Sequence, residues 1–121
     1  MLKDRFKEVI SKFMSKKILV IGDLMLDTYL IGRSDRISPE APVPIIQVNK
    51  VEHNLGGAAN VALNLSSLGC KVSLVGLIGD DPEGQVFRAL LDKSNIDFTS
   101  LVESENRPTT VKSRIISHDQ Q

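Results

Sequence analysis

The chain has 121 residues, 41% of them hydrophobic and 25% charged, and this composition is that of one ordinary folded domain rather than a disordered tail. Fifteen Lys and Arg residues balance fifteen Asp and Glu residues, so the formal net charge of +0 excludes a broad electrostatic attraction to nucleic acid or to an anionic membrane surface. The single cysteine, Cys70, excludes an internal disulfide, and with only two histidines the sequence has no cluster with zinc-ligand spacing. We therefore expect a cytoplasmic protein without a metal site of its own.

The first predicted element is an amphipathic helix over residues 1–16. Its apolar residues recur at helical spacing with charged residues between them: Leu2, Phe6, Val9, Ile10 and Phe13. These charges interrupt the apolar core that a secretory signal needs, and no apolar run in the chain reaches the ~20 residues of a membrane helix. We expect the helix to pack against the domain that residues 17–121 form.

A buried strand and a polar excursion follow. Residues 17–23 form a short apolar run that ends in Gly-Asp, which is typical of a parallel strand buried on both faces. Residues 27–53 have a different character, because glycine, serine and three prolines indicate a loop before a half-exposed strand around Ile46 and Val48. This excursion is predicted to lie outside the core sheet.

Two helices and a second core strand are predicted next. Gly56-Gly57 opens a helix that Gly69 ends in a left-handed conformation. The apolar face of that helix consists of Ala58, Val61, Ala62, Leu65 and Leu68. Residues 72–79 form a second apolar strand, after which Asp81 caps a helix and Pro82 fills its first position.

The order of strand, helix, strand and helix predicts a right-handed parallel unit of the α/β class. Two inserted β segments, 42–53 and 109–118, are expected to belong to a separate small sheet, because residues 109–116 show strand-like alternation.

Asp23 and Asp27 lie at and just beyond the carboxyl end of the first core strand. Open α/β sheets place their ligands at this edge, and two carboxylates there could accept hydrogen bonds from sugar hydroxyls. With about equal weight, Asp23 caps a turn and Asp27 is a solvated loop charge.

Gly56 and Gly57 remove side chains where a ligand could approach backbone N–H groups, and Asn60 supplies an amide in the first helical turn. A tight turn with a locally satisfied asparagine is the alternative. The segment is neither a Walker phosphate loop nor a dinucleotide-binding motif.

Thr110, Lys112 and Arg114 alternate along the last predicted strand, so one face would present two cations and a hydroxyl to a phosphate. The alternative is that Lys112 and Arg114 lie on a solvent-exposed strand face, which is more common for an isolated Lys-x-Arg pair.

Taken together, these segments resemble the ribokinase-like carbohydrate kinases, and within them the D-glycero-β-D-manno-heptose-7-phosphate kinases, which also occur as the first domain of bifunctional heptose kinase/adenylyltransferases. The Gly-Gly…Asn helix marks the superfamily, and ISPEAPVP at 37–44 narrows the resemblance to heptose kinases. The resemblance covers residue 17 to the last residue and rests on GDLMLD at 22–27, RISPEAPVP at 36–44, GGAANVA at 56–62, and RPTTVKSR at 107–114 with the final Gln120-Gln121.

The resemblance implies a three-layer α/β/α domain with a small β lid near 27–53 and 109–118 that often pairs two subunits in a homodimer. It implies transfer of the γ-phosphate of ATP, with Mg²⁺, to the anomeric hydroxyl of heptose 7-phosphate, for ADP-heptose and the lipopolysaccharide core. Asp27 would hold sugar hydroxyls, and Gly56, Gly57 and Asn60 would line the sugar pocket. Lys112 and Arg114 would contact the substrate phosphate.

One family feature has no counterpart in the 121 residues. The glycine-rich Gly-Ala-Gly-Asp motif, which in the family supplies the catalytic base and an anion hole, does not occur. We therefore expect the N-terminal fragment of a kinase that is inactive alone, with the ATP and Mg²⁺ sites mostly elsewhere. Two alternatives remain: a sugar-phosphate-binding or dimerising module without catalysis, and a kinase for another sugar phosphate.

Overall fold

The computed structural model describes residues 1–118, and of residue 35 the backbone alone. The helices are α1 (Leu2–Ser11), α2 (Ala58–Ser67) and α3 (Pro82–Asp92), with a 3-10 turn at Lys12–Ser15. The strands are β1 (Lys17–Ile21), β2 (Leu24–Ile37), β3 (Pro44–Gly57), β4 (Lys71–Val75), β5 (Leu77–Gly79), β6 (Ile96–Asp97), β7 (Val102–Ser104) and β8 (Val111–Ser117). Among the described residues, no helix is long and apolar enough to cross a membrane.

The strands form three sheets. A parallel core sheet has the order β1-β4-β6, and a short parallel pair joins β5 to β7. The third sheet, which we call the lid sheet, has the order β3-β2-β8, with β2 antiparallel to β3 and parallel to β8. The segments 42–53 and 109–118 therefore do contribute strands to one separate sheet, as predicted.

One apolar core joins the core sheet, the base of the lid sheet and two helices. Its buried members are Leu24, Leu26, Leu55, Ala59, Ala62, Val72, Leu74, Ile78, Phe87, Leu91 and Ile96. Alternation along β2 sends Leu24 and Leu26 into this core, so Met25, Asp27 and Tyr29 face the other way. The core thus fixes the base of the lid sheet against α2 and α3.

Helix ends follow the sequence signals. The Asp81 carboxylate caps α3 by accepting a hydrogen bond from the Gly84 N–H at 2.7 Å, and Pro82 occupies the first turn. Gly69 follows α2 with a φ of +100°, in the left-handed region that the predicted helix end requires.

The predicted loop after residue 27 is wrong. β2 continues unbroken to Ile37, so the lid sheet contains a long hairpin with its tip at residues 38–43, while Ser34 lies within β2 and Pro44 begins β3. Register shifts at Ile31/Gly32 and Arg33/Arg36 accommodate the irregular composition as bulges within the strand. Glycine and serine here mark distortions of a strand rather than its absence.

Burial on both faces of the first strand is also a wrong prediction. Val20 packs toward the core, whereas Leu19 and Ile21 are 58% and 69% exposed on the opposite face of β1. The predicted second strand at 72–79 is in fact two strands, β4 and β5, which lie in different sheets on either side of Gly76.

Two helices bury less than their apolar patterns predict. α1 forms where the N-terminal helix was expected, but all ten of its residues are exposed, so its predicted packing against the domain is wrong. In α2 the buried residues are Ala59 and Ala62, while Val61 and Leu68 are exposed. Helical spacing identifies an apolar stripe but not the surface that covers it. The final Gln120-Gln121 lies outside the described residues.

Candidate functional site

The candidate site begins where β2 leaves the core and passes β3 and β8. In the lid sheet, Asp27 pairs with Asn54 of β3 on one side and with Lys112 of β8 on the other. Two residues along, Tyr29 pairs with Arg114. Because alternate side chains share a face, Asp27, Tyr29 and both cations lie on the face opposite Leu26. We call this surface the inner lid face.

Asp27 is half-buried, and its carboxylate lies directly against the backbone of Gly56. A Cβ added at Gly56 would lie 2.7 Å from Oδ1, 2.8 Å from Cγ and 2.9 Å from Oδ2 of Asp27, which is closer than real Cβ atoms approach. Oδ1 is buried and has no hydrogen-bond partner among the described residues. A buried carboxylate oxygen without a donor is costly, so this atom is a strong candidate to accept a hydrogen bond from a ligand hydroxyl.

Gly57 turns the chain from β3 into α2. Its φ is +61°, and a Cβ there would collide with the carbonyl oxygen of Asp23. That same oxygen accepts a hydrogen bond from the Ala58 N–H at 2.8 Å. Asp23 therefore contributes through its backbone, and no side chain in residues 1–118 caps the N-terminus of α2.

Asn60 lies in the first turn of α2 and is exposed. Its place in the first helical turn is the predicted one, but no described contact joins it to Asp27 or to the cations. The uncapped first turn still offers backbone N–H groups and the positive end of the helix dipole beside this amide.

Lys112 and Arg114 are exposed on β8, and within residues 1–118 neither forms an ion pair with a carboxylate. The Arg114 guanidinium carbon lies 5.9 Å from the centre of the Tyr29 ring, which is a cation–π distance. Two unpaired cations beside one carboxylate suit a ligand that carries both hydroxyls and a phosphate.

A neighbouring carboxylate on the inner lid face is already engaged. Glu52 pairs with Tyr29 in register, and its Oε1 lies 2.7 Å from Lys50 Nζ. This hydrogen bond and ion pair raise the pKa of Lys50 above its ordinary value. Glu52 is thus directed to Lys50 and not to Arg114.

The structure adds residues that the sequence analysis missed. Tyr29 and Asn54 flank the predicted residues on the inner lid face. Tyr29 lies in the part of 27–53 that was expected to be loop, and Asn54 directly follows that stretch. The alternation Asp27, Tyr29, Ile31 was the available signal, but it was obscured by the glycine and serine that follow. Among residues 1–118, no three His, Cys, Asp or Glu side chains are grouped to hold a metal ion.

The chain belongs to the pfkB family of carbohydrate kinases, whose sequence profile matches residues 15–121. It is 56% identical over 106 residues to the "Bifunctional protein HldE" of Helicobacter pylori, an alignment that covers 88% of this chain and 23% of that protein. The chain therefore spans about a quarter of the length of the curated relatives that it matches.

Solved structures show the same fold. A carbohydrate kinase from Agrobacterium tumefaciens superposes with a TM-score of 0.68 at 24% identity, over 88% of this chain and 33% of that one. A sugar kinase from Pyrococcus horikoshii in complex with ATP gives 0.58 at 31% identity, over 84% and 31%. The predicted ribokinase-like α/β fold is thereby confirmed, and the family is one of kinases that act on carbohydrates.

Proposed function

We propose that the full-length protein carrying this chain transfers the γ-phosphoryl group of ATP to the anomeric hydroxyl of D-glycero-D-manno-heptose 7-phosphate. The observation that carries the proposal is the inner lid face, where Asp27, with its buried Oδ1 lacking a hydrogen-bond partner among the described residues, lies in register with Lys112. Membership in the pfkB family supports the reaction class. The choice of heptose rests on the resemblance of residues 37–44, which span the tip of the β2–β3 hairpin and the strand residue on either side of it.

In this proposal Asp27 orients the sugar. Its ionised carboxylate accepts hydrogen bonds from sugar hydroxyls, and the absence of a side chain at Gly56 leaves the carboxylate its space. Charge-assisted hydrogen bonds of this kind are short and directional, so they fix the anomeric hydroxyl for in-line attack. Gly57 and Asn60 would bring the first turn of α2 beside the same ligand.

The two cations of β8 would bind the phosphate that the substrate already carries. Arg114 is supported from below by the Tyr29 ring, and Lys112 pairs with the strand position of Asp27. A phosphate at this location would neutralise both cations while the sugar hydroxyls occupy Asp27.

Transfer itself needs groups beyond these residues. The anomeric oxygen forms a bond to the γ-phosphorus, the bond to the bridging oxygen breaks, ADP leaves, and a base takes the hydroxyl proton. We assign that base, and the binding of ATP with Mg²⁺, to the part of the protein outside residues 1–121. Residues 1–121 alone are accordingly expected to bind sugar phosphate without turning over ATP.

We also propose that the protein acts in the cytoplasm, where ATP is available, as a homodimer joined through the other side of the lid sheet. On that side Leu30 is flanked in register by Val51 and Ile115, which are 49% and 62% exposed. An exposed apolar patch of this kind favours a self-complementary interface around a two-fold axis.

The test is a phosphoryl-transfer assay on the full-length protein with ATP and Mg²⁺. Heptose 7-phosphate should give a product with a second phosphorus resonance at the anomeric position, and the same heptose without its phosphate should react poorly. Lys112→Ala and Arg114→Ala should each lower the ratio of kcat/KM for heptose 7-phosphate to kcat/KM for unphosphorylated heptose by about tenfold, as expected for loss of a charge-assisted hydrogen bond. Equal turnover of other sugar phosphates would instead favour a different member of this kinase family.

A further inference from the structure

The segment leading into β8 is held against the N-terminus of α3 by a cluster of short hydrogen bonds around Asp81 and Thr109. Oδ1 of Asp81 accepts from the Thr109 hydroxyl at 2.6 Å, and Oδ2 accepts from the Thr109 N–H at 2.8 Å. The Thr109 hydroxyl also accepts from the Gly79 N–H at 2.9 Å. Thr109 is only 6% exposed, so these bonds form away from bulk water, where leaving any of them unmade is costly.

The backbone around Asp81 and Thr109 is packed so closely that these hydrogen bonds cannot rearrange without a large energetic cost. A Cβ at Gly79 would lie 2.5 Å from both Asp81 Oδ2 and Thr109 N, and one at Gly84 would collide with the Gly79 carbonyl oxygen. Side chains are therefore excluded at both glycines. Thr109 has one well-defined place relative to α3.

From Thr109 the chain passes directly to the inner lid face. The carbonyl oxygen of the next residue, Thr110, accepts from the Leu26 N–H at 2.8 Å. Val111 then pairs with Leu26, and Lys112 with Asp27. Only two residues, Thr110 and Val111, thus lie between Thr109 of the Asp81 cluster and Lys112, the first cation of the candidate site.

The register of β8 needs such an anchor. β8 is parallel to β2, so no tight hairpin sets their alignment, and the connection between them runs through the core sheet and α3. All seven residues of β8 are exposed or half-buried, so burial specifies the register only weakly. A slip of one residue would move Lys112 and Arg114 to the opposite face.

We propose that Asp81 and Thr109 are positioning residues that fix the register of β8 against β2 and thereby hold Lys112 and Arg114 beside Asp27. The effect on substrate rests on the proposed function, whereas the effect on β8 does not. Neither residue touches the substrate in this account; both act through the strand that carries the cations.

Matched variants separate this role from general stability. Thr109→Val keeps the shape but removes the hydroxyl, and Thr109→Ser restores it. Thr99→Val is the control, because the Thr99 hydroxyl also donates to an aspartate, Asp97, at 2.8 Å but lies on an exposed loop after β6. Asp81→Asn is a second route to the same loss, since its amide nitrogen cannot accept from the Thr109 N–H.

Amide hydrogen exchange of the ligand-free full-length protein is measured first. Thr109→Val and Asp81→Asn should lower the protection of residues 111–117 by about tenfold, the equivalent of one lost hydrogen bond, while β1 and β4 keep theirs. Thr109→Ser and Thr99→Val should leave all strands protected. Unchanged protection of β8, or an equal loss across β1 and β4, overturns the proposal.

Steady-state kinetics then test the consequence. Thr109→Val should raise KM for the sugar phosphate by about tenfold and leave KM for ATP within about twofold, with Thr109→Ser close to the wild type. A parallel rise in both KM values overturns the link from β8 to the sugar site. If the wild-type protein phosphorylates no sugar phosphate, the proposed function fails while the exchange result still decides the role of Asp81 and Thr109.

Discussion

The Asp27 carboxylate lies across the Cα of Gly56, with Oδ1 2.7 Å from the place where a Cβ on residue 56 would be. In the ladder Gly56 is opposite Met25 and Asp27 is opposite Asn54, so the contact is a diagonal one between neighbouring antiparallel strands. In such a diagonal pair each residue normally has a side chain, and the two side chains keep the backbones and carboxylates apart. Gly56 has no side chain, and the Asp27 carboxylate fills the space that one would occupy.

Replacing Asp27 by alanine in the full-length protein should weaken binding of the sugar phosphate and leave ATP binding nearly unchanged. A hydrogen bond to a charged group is worth about 1.5–3 kcal/mol, so the sugar affinity should fall by about 10- to 150-fold. Titration calorimetry with each substrate measures both affinities. Unchanged sugar affinity together with unchanged turnover would mean that Asp27 is only a solvated charge of the lid.

Gly56→Ala should lower the affinity for the sugar phosphate to a similar extent, although it leaves the Asp27 side chain itself unchanged. The added methyl group must push Asp27 away from its present position, because the carboxylate and the β3 backbone cannot both keep their places. In the double variant Asp27→Ala/Gly56→Ala, the loss of sugar-binding free energy should therefore be much smaller than the sum of the losses in the two single variants. Fully additive losses in sugar affinity would show that Gly56 acts independently of Asp27.

Much of the core could be predicted from the sequence, since periodicity and end signals are local properties. The α3 start at Asp81-Pro82 and the left-handed Gly69 both follow from residue types whose backbone preferences are strong. The lid was harder. In β2 the bulges at Ile31/Gly32 and Arg33/Arg36 interrupt the alternation that identifies a strand, so composition alone favoured a loop.

Burial depends on what lies opposite a residue, which a local pattern does not contain. β1 is as apolar as a strand buried on both sides, yet Leu19 and Ile21 are exposed in the described part of the chain. From the sequence, Asp27 was a candidate because of its place after the first core strand, and Lys112 and Arg114 because they alternate along one predicted strand. Their common face, and the contact of Asp27 with Gly56, required the register of three strands that are far apart in sequence.

The hydrogen bonds that Asp81 accepts should make the free energy of unfolding fall as the pH is lowered. Hydrogen bonds from the Thr109 hydroxyl, then from the Thr109 and Gly84 N–H groups, lower the pKa of Asp81 below its ordinary value of 3.8. A depressed carboxyl pKa stabilises the folded state fully above that value, and the contribution is lost as the pH falls from about 4–5 through the lower folded pKa. Asp81→Asn should remove this part of the acid sensitivity.

Urea denaturation between pH 7 and pH 2.5 measures the effect. Asp81→Asn should be less stable than the wild type at pH 7 and should lose less stability on acidification. Asp80→Asn is the matched control, because the neighbouring Asp80 carboxylate accepts no hydrogen bond from Thr109. Parallel stability curves for the wild type and Asp81→Asn would contradict the assignment.

The last prediction concerns assembly through the side of the lid sheet that faces away from Asp27. Ile115 is 62% exposed there, next to Leu30 in register, whereas Ile116 points to the inner lid face. In a two-fold dimer each substitution acts twice, so burying the exposed part of Ile115 would contribute about 2–4 kcal/mol per dimer. Ile115→Glu should therefore dissociate the full-length dimer, and Ile116→Glu should not. Sedimentation equilibrium of the wild type and of both variants measures the mass of the particle. A monomeric wild type, or dissociation of the dimer in both variants, would exclude this face as the interface.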